Sequence, residues 1–355
     1  MRFGYTHVRT VEHYFNPYGG YSPNPIVFLT AAAMRSQKAR LITGAVLPVF
    51  NHPLKLAGEI GMLDAISCGR LEVGFARAFL PHEFARFGVS VHESRERFEE
   101  GMEQVRRLLE EEDVTIEGKF HSFKNVTSLP RPTQKPRPPF WVAAFSTPES
   151  FISAGAAGHW IMAIPMSGTG MKELLGLYRD AWQRAGHPGR GRVMLAFHMF
   201  CAETTEEAIR VARHPLNHYL RTLVAAAAQW TEGLNSKDYP NYDKLIAGLS
   251  RESFETQVEK GAAWIGTPET IAKQIRDYQQ MVGGFEIASM LMSERIDGVV
   301  HRQSVSLRCC RTSVSVESSE RARRATDGST PPYIRSGHSL KRSHHTVPPK
   351  LSQLS

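Results

Sequence analysis

With 355 residues, 41% of them hydrophobic and 22% charged, the chain has the make-up of one large or two ordinary soluble domains. No apolar run approaches the ~18 residues of a membrane span, no basic-then-apolar leader opens the chain, and four cysteines lack a CxxC pair, which disfavours a disulfide framework or zinc finger. Of the net charge of +8, +7 sits in residues 301–355, where ten Lys/Arg face three acids; residues 1–300 are nearly neutral, so charge gives no argument for nucleic acid. A cytoplasmic protein without membrane or nucleic-acid partners is expected.

Residues 6–11 read as a strand, and 26–35 as a helix with Pro25 at its first turn. Residues 39–47 are apolar and β-branched, a buried strand, followed by a helix over about 53–67 and a strand at 71–75. Phe98, Met102, Val105 and Leu109 recur at spacings of 4, 3 and 4, one face of a long helix. Residues 114–126 have the pattern of a β-hairpin turning at Glu117 and Gly118. The Pro-rich stretch 130–139 leads into a strand at 140–144 and a helix from Pro148.

A strand at 160–164 and a helix carrying Met171, Leu174, Leu175, Tyr178 and Trp182 follow. Next come a strand at 193–201 and a mostly helical stretch at 205–230. Thr267, Pro268 and Glu269 open a further helix as cap, first-turn proline and first-turn acid, and 286–291 is the last strand. After Leu307 one aromatic residue remains, Tyr333, among many Ser, Arg, Thr and Pro. Residues 308–355 are therefore expected to be a disordered basic tail on a folded 1–307 domain. Repeated β-then-α order predicts an α/β fold with a mostly parallel sheet, either a (β/α)8 barrel or an open doubly wound sheet. GxGxxG and GxxxxGK[ST] are both absent, against the usual dinucleotide and P-loop sites.

Barrel active sites form at the C-terminal ends of strands, and four places qualify. His13, in Glu12-His13-Tyr14-Phe15, is either a proton donor/acceptor near neutral pH or a core histidine. Arg77, just past a strand, is either a two-pronged phosphate ligand or a salt-bridge partner. Ser146, Thr147 and Ser150 flank the helix start at Pro148, which makes a phosphate cradle or a plain N-cap, with Glu149 counting against an anion there. Thr43, Gly44 and Ala45 are small enough for a flat ring to approach the backbone, or simply fit a narrow barrel. No HExxH or HxH spacing supports a metal site.

Together these places resemble the bacterial luciferase-like flavin monooxygenase family. The likeness runs from about Gly4 to Leu307 and rests on Val11-Glu12-His13-Tyr14-Phe15, Val46-Leu47-Pro48 with Asn51-His52-Pro53, the 63–74 segment ending Gly69-Arg70-Leu71-Glu72-Val73-Gly74, Arg77, Pro136–Val142 with Ser146, and Gly266-Thr267-Pro268-Glu269. The resemblance implies a TIM barrel with an insertion after its middle strands. It makes His13 the acid/base group beside flavin and substrate. It makes Arg77, Ser146 and the following helix start, with Thr147 and Ser150, the grip on the FMN phosphate, and Thr43, Gly44 and Ala45 the strand end beneath the isoalloxazine.

Ala76 stands where luciferase proper has a reactive cysteine, so light emission is not expected, and Tyr14 replaces the second histidine of the usual Glu-His-His-Phe. Family members carry a strand and helix before the segment matched by Gly4–Phe15, so the resemblance implies a barrel without strand one and helix one. Seven principal strands and a gap between strands 6–11 and 286–291 are then expected, with a pocket leaky to water. The tail has the composition of a frame-shifted translation. The function implied is a two-component monooxygenase that takes reduced FMN from a flavin reductase and passes one oxygen atom of O2 to an aldehyde or natural-product intermediate, as a homo- or heterodimer. The alternatives are a deazaflavin-dependent hydride-transferring oxidoreductase and a non-catalytic flavin-binding subunit.

Overall fold

Seven parallel strands hydrogen-bond in sequence around a core of their own inward side chains. The computed structural model describes residues 5–165 and 168–291; the expected tail lies outside the described residues. The strands are β1 (His7–Thr10), β2 (Arg40–Thr43), β3 (Leu71–Phe75), the hairpin pair β4 (Val114–Glu117) and β5 (Ser122–Val126), β6 (Phe140–Ala144), β7 (Trp160–Ala163), β8 (Val193–Cys201), β9 (Ala263–Gly266) and β10 (Ile287–Leu291). The helices are α1 (Pro25–Arg35), α2 (Pro53–Ile66), α3 (Pro81–Phe87), α4 (Ser94–Glu110), α5 (Pro148–Ala156), α6 (Gly168–Arg184), α7 (Thr205–Ala226), α8 (Tyr242–Leu249), α9 (Phe254–Glu259) and α10 (Pro268–Met281).

The main path runs β1-β2-β3-β6-β7-β8-β10, and β9 pairs with the far end of β8. β1 and β10 are the two ends of the path, and a side-chain bond joins them: Arg9 Nε donates to Ser289 Oγ at 2.9 Å. Alternation along each strand explains the two-sided core. Ile42, Trp141, Met162, Met194 and Ile287 point inward and fill the barrel. Leu41, Leu71, Val73, Phe75 and Phe140 point outward against α1, α2 and α4, while Ile161, Leu195 and Phe197 meet α5, α6 and α10.

The strand expected over 39–47 is shorter. It ends at Thr43, where the chain turns through the cis Gly44–Ala45 peptide into the barrel mouth. The strand β9 and the helices α3, α8 and α9 were not expected. Each has only four to eight residues, too few for a period to declare itself. The hairpin forms, and the Glu100 carboxylate organises its turn by accepting the N–H groups of Lys119, Phe120 and His121. The segment from Leu223 to Ile246 roofs the mouth, with Trp230 Nε1 donating to Phe79 O at 2.8 Å.

The opposite end is closed by charge. Glu72, fully buried on β3, accepts from Trp141 Nε1 at 2.7 Å, pairs with Arg40 Nε and has Arg192 Nη1 3.8 Å away. Removing a carboxylate so placed leaves a buried indole N–H without its acceptor and two half-buried arginines without their anion. Glu72→Leu is therefore expected to lower stability by about 3–5 kcal/mol in urea unfolding; a loss below about 1 kcal/mol is the behaviour of an exposed pair and would contradict this assignment.

Candidate active site

A cavity of about 520 Å3 opens at the C-terminal ends of the strands. Its wall takes Glu12 and His13 from just past β1, Gly44 and Ala45 from just past β2, and Ala76 and Arg77 from just past β3. Thr147 and Ser150 come from the start of α5, and Arg95, Phe98 and Met102 from one face of α4.

Two buried carboxylates fix the segment that bears His13. Glu12, 3% exposed, accepts from Leu47 N at 3.0 Å, Asn51 Nδ2 at 2.8 Å and Tyr14 Oη at 2.5 Å. Burial pushes its pKa up to about 7 in spite of these donors, which favour the ionised form. Glu83, fully buried on α3, accepts from Tyr14 N at 2.8 Å and pairs with His13 Nδ1 at 3.1 Å. This contact holds the imidazole through Nδ1 and leaves Nε2 as the nitrogen that can exchange a proton with a ligand. The loop after His13 closes over it at Gly19 (φ 70°), where a Cβ would lie 2.7 Å from His13 Cδ2.

Cationic groups gather at one end. The Arg77 guanidinium lies 4.3 Å from the Tyr239 ring centroid, and its Nη1 is buried with no hydrogen-bond partner. Arg95, in the first turn of α4, also lines the cavity, with its Nε 3.9 Å from Asp238. The adjacent start of α5 is uncapped: Thr147 makes no side-chain cap bond, and its hydroxyl and that of Ser150 belong to residues on the cavity wall. Glu149 is exposed and off that wall, so it does not oppose an anion from within.

The residues singled out in the sequence do not all converge. His13, Gly44, Ala45, Arg77, Thr147 and Ser150 line the cavity, whereas Thr43 and Ser146 do not. Thr43 is fully buried, and its hydroxyl is spent on Gly74, donating to the carbonyl at 2.9 Å and accepting the N–H at 2.8 Å. Gly44 is small for a different neighbour: a Cβ there would lie 2.5 Å from Arg9 Cδ, whose Nη1 donates to Gly44 O at 2.9 Å. Sequence reasoning missed Glu83, Arg9 and Arg95. For Arg95 a signal existed, since it continues the Phe98 and Met102 face one turn toward the N-terminus. Among the described residues, no three His, Cys, Asp or Glu side chains gather as a metal site, and no helix is long and apolar enough to cross a membrane.

Residues 2–283 match the family model described as luciferase-like monooxygenase. The chain belongs to this family. It is 33% identical over 267 residues to the oxygenase component of flavin-dependent trigonelline monooxygenase from Acinetobacter baylyi, covering 73% of this chain and 72% of that protein. A monooxygenase from Streptomyces bottropensis superposes with a TM-score of 0.75 at 41% identity, over 87% of each chain. The oxygenating constituent of 3,6-diketocamphane monooxygenase from Pseudomonas putida, solved in complex with FMN, has the same fold, with a TM-score of 0.72 at 22% identity over 87% of each chain. This luciferase-like protein is thus an α/β barrel oxidoreductase whose relatives are flavin-dependent monooxygenases.

The raised Glu12 pKa carries a sign. A carboxyl that titrates near 7 when folded and near 4.5 otherwise binds its proton more tightly in the native state. Its contribution to stability is full below the lower value and disappears as pH rises through the upper one. Glu12→Gln should therefore remove a loss on the order of 3 kcal/mol between those limits, read as the difference between wild-type and variant unfolding curves against pH. Parallel curves would contradict the assignment.

Proposed function

We propose that the chain is the oxygenase component of a two-component system that uses reduced FMN, delivered by a separate flavin reductase, and O2 to oxygenate an organic substrate. The observation that carries this reading is the unpartnered, buried Nη1 of Arg77 on the cavity wall, beside an uncapped helix start and a second arginine, Arg95. An orphaned guanidinium N–H beside a helix start with the hydroxyls of Thr147 and Ser150 on the cavity wall suits a phosphate. Arg77 and Arg95 would hold it through charge-assisted bonds, with Thr147 and Ser150 as hydroxyl ligands. Gly44 and Ala45 give the flat, small-residue surface on which a planar ring can lie.

Bound reduced FMN supplies the electrons that activate O2. The protein's own part is proton handling and exclusion of water. His13, held by Glu83, is placed to move a proton at Nε2, and Phe79, Phe98 and Met162 give the cavity apolar walls. The reading also includes a dimer: α1 exposes Val27, Phe28 and Met34 and α2 exposes Met62, apolar surface that a second copy would cover. It places the enzyme in the cytoplasm, with the reductase. The substrate is an organic molecule small enough to share the cavity.

The phosphate contact separates FMN from riboflavin, which lacks it. Wild-type protein should bind FMN more tightly by about 10- to 100-fold, as charge-assisted hydrogen bonds imply. The Arg77→Met/Arg95→Met double variant should bind the two alike in fluorescence titrations. A preference for FMN that survives in that variant would remove both arginines from the cofactor site.

A further inference from the structure

A third arginine, Arg9, lines the same cavity and has no counter-ion among the described residues. Arg9 projects inward from β1, with Nε bonded to Ser289 Oγ and Nη1 to Gly44 O, both at 2.9 Å. These bonds use two of its five N–H groups and leave three. No carboxylate among the described residues acts on it; the groups that do are the Tyr18 and Tyr219 hydroxyls. Burial lowers its pKa, as expected for a guanidinium taken out of water without an anion.

The two tyrosines add hydroxyl groups beside it. Tyr18 Oη and Tyr219 Oη lie 3.2 Å apart, so one proton closes that bond. The other hydroxyl proton is not used in that bond. Both rings line the cavity with Arg9, and Tyr18 packs against His13 with ring centroids 5.3 Å apart. The cluster thus offers several N–H and O–H donors and one positive charge, with no carboxylate among the described residues to balance it. An enclosed charge without a partner is costly unless a ligand completes it.

We propose that Arg9, Tyr18 and Tyr219 form the receptor for a carboxylate, or an equally delocalised oxyanion, carried by the organic substrate. The inference rests on the flavin reading above and narrows its substrate to acidic molecules. A guanidinium fork matches the two oxygens of a carboxylate, and the tyrosine hydroxyl supplies a third donor. An anion anchored there sits beside the Tyr18 ring, so the remainder of the molecule extends toward His13. Arg77 and Arg95 then serve the phosphate, and Arg9 serves the substrate.

The test uses the full chain saturated with FMN, with benzoate as probe and benzamide as its neutral counterpart, in calorimetric titrations. Benzoate should bind more tightly than benzamide by about 10- to 100-fold, the worth of charge-assisted hydrogen bonds. Arg9→Met should abolish that preference while FMN affinity stays unchanged. Because Arg9 also ties β1 to β10, Tyr219→Phe is the second variant; it keeps the ring, and should weaken benzoate and leave benzamide alone. Equal binding of the two probes to wild-type protein would overturn the proposal. So would an Arg9→Met variant that folds, keeps its benzoate preference and loses FMN, since Arg9 would then serve the flavin ring. Failure of wild-type protein to bind FMN would instead strike the cofactor reading, and benzoate titrated into the flavin-free chain still decides the Arg9 site.

Discussion

The structure around the cavity depends on two carboxylates that are buried where water cannot solvate them. Glu12 and Glu83 are 3% and 0% exposed, and between them they accept from the backbone of Leu47 and Tyr14 and from the side chains of Tyr14, Asn51 and His13. Together these bonds tie the end of β1 to the turn after β2 and to α3. Loss of either acid would leave several donors without partners in a low-dielectric site, where the cost is greatest. The segment 12–14 therefore has one arrangement, and it is the arrangement that turns His13 toward the cavity.

The rest of the barrel follows from keeping that mouth open while the other end is shut. Glu72 with Arg40 and Trp141 closes the N-terminal end, and Ile42, Met162, Met194 and Ile287 fill the layer above it. Gly44 leaves room for the stem of Arg9 to cross from β1 toward β10, where it reaches Ser289. The cavity that remains carries Arg9, Arg77 and Arg95 on its wall among apolar side chains. Such a distribution suits two ligands with charged ends and flat or apolar bodies, as the proposed cofactor and substrate are.

Periodicity made most of the fold legible. Apolar runs at 71–75, 140–144 and 193–201 coincide with β3, β6 and β8, and the Phe98–Leu109 spacing lies on α4. Proline at the first helical turn marked α1, α2, α5 and α10. Short elements such as α3 and β9 were not legible, because four to seven residues display no period. The site divides along the same physical line. His13, Arg77 and the α5 start stand at strand ends, and position alone singles them out. Glu83 acts on His13 from 70 positions away, and Arg9 sits mid-strand, so only the folded chain brings them to the cavity. Thr43 stood at the expected strand end, but strand alternation turns its hydroxyl into the wall against Gly74.

The most direct test of the account is a crystal structure of this chain with FMN bound. The account predicts the phosphate between Arg77 and Arg95 at the start of α5, the ring against Gly44 and Ala45, and His13 Nε2 facing it, with Arg9 still free to meet a second ligand. A flavin seated elsewhere, or one whose phosphate points to Arg9 instead, would contradict it.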